Sequence, residues 1–159
     1  CPGCAQVRIG LDSAGTGEGY YAWNVQVPKA VAGKRIVSAI LCAWSSGGWV
    51  PATKRYSAHS ILEPWISGSS ASGWFDPSGR ILTSRVDPAA FSVAPLNAGS
   101  SGGLIFDISG MMQVWANDTT TARGLLIRAV DAKVEGDDFD APGIANASSR
   151  QAFLNVRYR

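Results

Sequence analysis

Residues 104–129 constrain the fold more than any other part of the chain, because their hydrophobic period changes twice. The segment begins as an apolar strand at 104–108, and Gly124 introduces a second apolar strand at 125–127. Between the two strands, apolar side chains recur at spacings of three, four and seven, which describes one face of a short helix. That face consists of Ile108, Met111, Met112 and Trp115. The segment therefore predicts a strand, one short helix near 108–116 and a second strand.

The rest of the chain consists of short apolar runs separated by glycine, proline and serine, which is the rhythm of an all-β sandwich. A chain of 159 residues is one domain by length and can bury a sizeable core. The strongest run, 35–44, is apolar on both faces, so it predicts a central strand that is covered twice or buried on one side in an assembly. Further strands are predicted at 5–11, 20–27, 55–62, 80–86 and 152–158, whereas 87–103 is predicted to be irregular.

Charge and hydropathy argue against two kinds of partner. Charged residues make up 16% of the chain, its net charge is +2, and no Lys/Arg cluster interleaves with aromatic residues, so we expect no nucleic acid. No apolar run approaches the roughly 18 residues that span a bilayer, so we expect no transmembrane segment. The single histidine, His59, lacks an acidic or nucleophilic partner at an interpretable spacing. We therefore predict that the protein is not an enzyme.

Three cysteines, Cys1, Cys4 and Cys42, predict one disulfide bridge in an exported protein. Cys42 pairs with Cys4 or with Cys1, and the spare thiol either links subunits or, if it is Cys1, carries the lipid of a lipoprotein. A thioredoxin-type pair would need a preceding strand, and a zinc site is allowed by residue count but not supported by spacing. The chain begins at Cys1 without a visible signal peptide, so we expect a processed mature form or an excised segment.

An acidic segment follows the central unit, at residues 130–143. It lacks the spacing of an EF-hand, so it is either a solvated acidic loop or a loose oxygen cage for a structural Ca²⁺ ion. The candidate calcium ligands are Asp131, Glu135, Asp137, Asp138 and Asp140.

Aromatic residues beside Gly/Ser loops suggest carbohydrate binding, because flat aromatic faces stack on sugar rings. Trp49, Trp65 and Trp74 lie beside such loops, and Lys54 and Arg80 could add charge for an acidic polymer. The competing interpretation is that most of the six tryptophans fill the core, as we expect for Trp23, Trp44 and Trp115.

Four motifs in the C-terminal half resemble the ending of DNRLRE-type domains: FDISGMMQVW, RGLLIRA, GDDF and RQAFLNVRY. VSAILCAW at 37–44 and Leu62-Glu63-Pro64-Trp65 are similar to motifs of the first half of that family. The chain departs from the pattern at Gln151, at Ser109 and at 140–142. The matching positions are Phe106, Asp107, Ile108, Val114, Trp115, Gly124, Leu125, Ile127, Arg150, Leu154, Val156 and Tyr158.

The resemblance implies an all-β fold, a jelly-roll-like antiparallel β-sandwich with one short helix near 108–116. It also implies a secreted or cell-surface location and no catalytic activity. Some members of the family are carbohydrate-binding modules, including ones for acidic polysaccharide, and others are surface-layer or stalk domains.

The N-terminal residues 1–12 suggest how such a domain could assemble. Val7, Ile9 and Leu11 share one face of a strand, and a Gly-rich loop at 12–19 lets that strand fold back or reach a neighbouring subunit. Low charge and strands that are apolar on both faces also favour an assembly. We therefore expect an extracellular structural subunit that forms a homo-oligomer, filament or surface array, with a polysaccharide-binding module as the alternative.

Overall fold

The computed structural model describes residues 6–11, 18–19, 21–44, 55–65, 82, 84–95, 103–130, 137–140 and 153–159. Within these residues the protein is mostly β-structure with one short α-helix. The strands are β1 (Gln6–Leu11), β2 (Glu18–Gly19), β3 (Tyr21–Trp23), β4 (Ile36–Trp44), β5 (Arg55–Ser60), β6 (Ser92–Pro95), β7 (Gly103–Asp107), β8 (Leu125–Ala129), β9 (Asp137–Asp140) and β10 (Phe153–Tyr158). The helix α1 spans Ser109–Asn117, and a 3₁₀ turn follows at Thr119–Thr121.

The strands form three antiparallel sheets, in the orders β2-β1-β9, β10-β4-β7 and β3-β8-β5-β6. The predicted all-β, sandwich-like fold with one short helix is therefore confirmed. The central unit of the sequence is also confirmed, because β7, α1 and β8 follow one another as the hydrophobic period predicts. The helix begins and ends one residue later than predicted.

The main core lies between the β10-β4-β7 sheet and the β3-β8-β5-β6 sheet, with α1 closing it. β4 contributes Ala39, Leu41 and Ala43, whose side chains are at most 2% exposed. From the other strands and the helix come Tyr56, Ala58, Leu104, Phe106, Ile108, Met111, Met112, Trp115, Ala116, Leu125, Ile127 and Ala129. The four predicted apolar positions of the helix unit are all fully buried here, as a one-faced helix requires.

Two side chains attach α1 to β4. The Ser109 hydroxyl accepts a hydrogen bond from the Ala39 amide at 2.9 Å and donates to Asp107 Oδ1 at 2.5 Å. One turn later, Gln113 Oε1 accepts from the Ile36 amide at 2.8 Å, and its Nε2 donates to the Lys34 carbonyl at 3.1 Å. These bonds satisfy the strand backbone where β7 has already become helix and offers no ladder partner.

The observed strands differ from the predicted ones in three parts of the chain. Residues 87–103 contain β6 and the start of β7. Proline at 95 is compatible with β6, because Pro95 is its last residue and β6 lies at the edge of its sheet. The strand predicted at 80–86 is reduced, in the part that the structure describes, to a single bridge between Ile61 and Val86. The strand predicted at 20–27 ends at Trp23, and no described ladder pairs the residues that follow.

Candidate functional site

The outward side of the β10-β4-β7 sheet carries a row of apolar residues. Phe153, Cys42 and Ile105 stand opposite one another across the three strands. Ile105 is 53% exposed and Phe153 is 48% exposed. We define the outer face as the side chains of the three strands that alternate with the core residues: Ser38, Ile40, Cys42, Ile105, Asp107, Phe153, Asn155 and Arg157.

The outer face changes from apolar to polar along the strands. Next to the apolar row, Asn155, Ile40 and Asp107 stand in register, and the following row contains Arg157 and Ser38. Hydrogen bonds from the Ser109 hydroxyl and amide lower the pKa of Asp107, which keeps this carboxyl charged at neutral pH. The face therefore combines an apolar end with one acidic and one basic residue on opposite outer strands.

Cys42 lies in the centre of the apolar row and is 9% exposed. It is a free cysteine in the structure, and burial raises the pKa of its thiol, so the thiol stays protonated at neutral pH. Its predicted partners, Cys1 and Cys4, lie outside the described residues. The disulfide therefore stays a prediction, and a bridge to Cys42 would have to reach the outer face of this sheet.

His59 has a hydrogen-bonding partner, Ser57, that was not predicted from the sequence. Its Nδ1 donates to the Asp87 carbonyl at 2.8 Å, so Nε2 of the neutral ring accepts from the Ser57 hydroxyl at 2.7 Å. Ser57 precedes His59 by two residues on β5, and the period of a strand places both on one side. That spacing, Ser-x-His in a strand, was the signal that the sequence contained.

The Ser57–His59 pair resembles a nucleophile and its base, but it is buried, whereas a catalytic pair must be open to its substrate. Ser57 is 4% exposed and His59 is 6% exposed, so no substrate could reach either one in this arrangement. Burial lowers the pKa of His59, and the charge of Arg128 acts in the same direction, whereas hydrogen bonds to the 87–89 backbone oppose the shift. The pair fixes the backbone at Asp87 against β5 and leaves no buried polar atom of its own unsatisfied.

Of the three tryptophans predicted to bind carbohydrate, only Trp65 lies among the described residues. It is half-buried against a second cluster formed by Ile61, Val86 and Leu126. Its indole N–H donates to the Arg123 carbonyl at 2.5 Å, so that edge of the ring is already engaged. Trp49, Trp74, Lys54 and Arg80 lie outside the described residues, and carbohydrate binding stays a prediction.

The acidic segment is partly a strand. Asp137, Asp138 and Asp140 lie on β9, which pairs with β1 and places Asp138 opposite Arg8. The expectation of a continuous loop was therefore wrong for 137–140. Asp131 and Glu135 lie outside the described residues, so the calcium site stays a prediction. In the part of the chain that the structure describes, no three His, Cys, Asp or Glu residues form a cluster that could hold a metal.

The N-terminal strand predicted to mediate assembly is folded back onto its own chain. β1, which contains Val7, Ile9 and Leu11, is the middle strand of the β2-β1-β9 sheet. Donation to a neighbour would therefore be an exchange that breaks both of these pairings, and it stays a prediction. No helix among the described residues is long and apolar enough to cross a membrane. No family model matches the chain, and no curated protein is significantly similar to it, so the resemblance to DNRLRE-type domains rests on the motifs alone.

Proposed function

We propose that this protein is a secreted, non-enzymatic structural subunit that associates with copies of itself into an extracellular filament or surface array. The observation that carries the proposal is the apolar row on the outer face. A sheet of a two-layer domain buries one side and usually places polar residues on the other. Here Ile105 and Phe153 remain about half exposed, at 53% and 48%, beside the apolar Cys42. A second layer would remove that surface from water.

A second copy of the chain fits the outer face because the face is complementary to itself. A two-fold axis parallel to the strands would place β10 of one copy over β7 of the other. Phe153 would then cover Ile105, and Arg157 would approach Asp107 across the contact. Two sheets packed in this way lie about 10 Å apart, as in ordinary sandwiches.

The extracellular part of the proposal rests on the sequence. The motifs shared with DNRLRE-type domains imply a surface location, and the N-terminal cysteines favour an oxidising compartment. The non-enzymatic part is supported by the burial of Ser57 and His59, a hydrogen-bonded pair with the chemistry of a nucleophile and base.

The test compares two charge insertions at equally exposed positions. Ile105 on the outer face and Val114 on α1 are 53% and 51% exposed. Light scattering of the wild-type chain should show mass that grows with concentration. Ile105→Asp should weaken association at least about a hundredfold, because it buries an unpaired charge in the contact, whereas Val114→Asp should behave as the wild type does.

Circular dichroism should show that both variants remain folded. A wild-type protein that stays monomeric at every concentration would contradict the proposed function. If the two variants associated equally, the outer face would be ruled out as the contact surface.

A further inference from the structure

We propose that copies of this chain join head to tail by pairing the basic edge strand β10 of one copy with the acidic edge strand β9 of the next. The inference rests on the proposed function, because it names a second contact of the same self-assembly. It differs from the outer-face contact in symmetry, because the outer face meets its own copy, whereas here one edge meets a different edge.

The basic edge is formed where β10 ends. Arg35 and Arg159 stand directly opposite each other, because each amide donates to the other's carbonyl, at 3.1 and 3.0 Å. Arg157 precedes them on β10, and all three side chains are exposed. None of the three forms an ion pair with a residue that the structure describes. Like charges placed directly opposite in a strand pair repel, so an acidic partner would relieve a strain already present in the subunit.

The acidic edge is β9, whose four residues are Asp137, Asp138, Phe139 and Asp140. Its partner within the chain, β1, contributes a single opposing base, Arg8, in the register Gln6 to Ile9. This strand pair therefore has three acids and one base. Among the described strands, β9 is the last of its sheet, so the side away from β1 is a row of backbone groups without a strand partner.

Charge selects which edges can pair. Two β10 edges would bring arginine against arginine, and two β9 edges would bring aspartate against aspartate, so both symmetric pairings are repelled. Only the pairing of β9 with β10 joins opposite charges while it completes the backbone hydrogen bonds of both strands. A contact between two different surfaces does not close on itself by symmetry and propagates into a ring or an open filament.

The experiment reverses the charge of each edge in turn. Arg35→Glu/Arg159→Glu makes both edges acidic and leaves the outer face unaltered, and Asp138→Lys/Asp140→Lys makes both edges basic. Neither variant should polymerise alone in electron microscopy and light scattering. An equimolar mixture should polymerise again, because each edge of one variant then meets an oppositely charged edge of the other. The control Lys29→Glu/Arg55→Glu changes the net charge as the first variant does, at exposed positions outside β9 and β10, and should polymerise as the wild type does.

Salt gives a second measurement on the unaltered chain. Raising ionic strength from about 0.1 M to about 1 M shortens the screening length from about 10 Å to about 3 Å, and should raise the concentration needed for polymers at least about tenfold. Polymers of both edge variants alone, a mixture that forms no polymers, or polymers insensitive to salt would overturn the edge pairing while leaving the outer-face contact in place. A wild-type chain without polymers would overturn both.

Discussion

Ser109 takes the place of a main-chain partner at the point where β7 becomes α1. The Ile108 amide still donates to the Ala39 carbonyl at 2.9 Å, but the Ala39 amide is bound by the Ser109 hydroxyl instead of a backbone carbonyl. Asp107 Oδ1 holds that hydroxyl and also accepts from the Ser109 amide at 2.9 Å. The Phe-Asp-Ile-Ser motif is therefore explained by structure alone: two buried apolar residues, a carboxylate that binds the Ser109 amide and hydroxyl, and a hydroxyl that accepts from the Ala39 amide.

Removing this hydroxyl should destabilise the fold, since Ala39 is fully buried and its amide would lose its acceptor. We expect Ser109→Ala to lower the free energy of unfolding by about 1–3 kcal/mol. Ser109→Thr keeps the hydroxyl and should lower the free energy of unfolding by less than about 1 kcal/mol. Urea unfolding of the three proteins checks this, and equal losses for both variants would mean that the hydroxyl contributes nothing.

His59 should make stability depend on pH. Its pKa in the folded protein is lowered from 6.5, mainly by burial, so the unfolded chain takes up the proton first as pH falls. Stability is then fully present above about pH 6.5 and decreases as pH falls through the lowered pKa. In urea unfolding, the stability of the wild type should fall as pH is lowered below about 6.5. Because the chain has one histidine, His59→Gln should flatten this dependence, and an unchanged slope in that variant would contradict the prediction.

Gly124 sets the junction between β3 and β8. Its φ is +102°, and a Cβ there would collide with the Trp23 carbonyl oxygen. The sequence indicates a strand start at this glycine, and the structure adds the close approach of two backbones that requires it.

The two glycines with positive φ give a matched comparison. Gly33 has φ +72°, and a Cβ there would have open space around it. Gly33→Ala should therefore lower the free energy of unfolding only by the cost of placing a residue with a Cβ in the left-handed region, about 1–2 kcal/mol. Gly124→Ala adds the collision of its Cβ with the Trp23 carbonyl oxygen, and should lower the free energy of unfolding by at least about 3 kcal/mol. Thermal unfolding of both variants checks the order, and an equal shift would show that the backbone contact relaxes freely.

Elements with a strong local signal could be predicted, and those fixed by a distant partner could not. The helix was predictable because Met111, Met112 and Trp115 repeat with its period. β6 and β9 were missed because Pro95 and a run of aspartates disfavour strands locally, and pairing with β5 and β1 overrides that preference. Only the β4 part of the outer face could be predicted, because the sequence shows that β4 is apolar on both sides. Its neighbours in register, Ile105 and Phe153, depend on the pairing of remote segments.

One core joins the two main sheets to the helix, so we expect the protein to unfold as a unit. Trp115 on α1 is 1% exposed and belongs to the same cluster as Leu41 of β4 and Leu125 of β8. None of these elements buries its apolar side without the others. The stability of the helix and of both sheets should therefore be coupled.

Trp115→Ala tests this coupling. Loss of a buried indole should cost about 3–5 kcal/mol, a large part of the 5–15 kcal/mol that stabilises an ordinary domain. Trp115→Phe keeps an aromatic ring in the site and should cost less. In both variants, unfolding followed by far-ultraviolet circular dichroism and by tyrosine and tryptophan fluorescence should give one coincident transition at a lower midpoint. Separate transitions would mean that α1 is held locally, by Ser109 and Gln113, and does not close the common core.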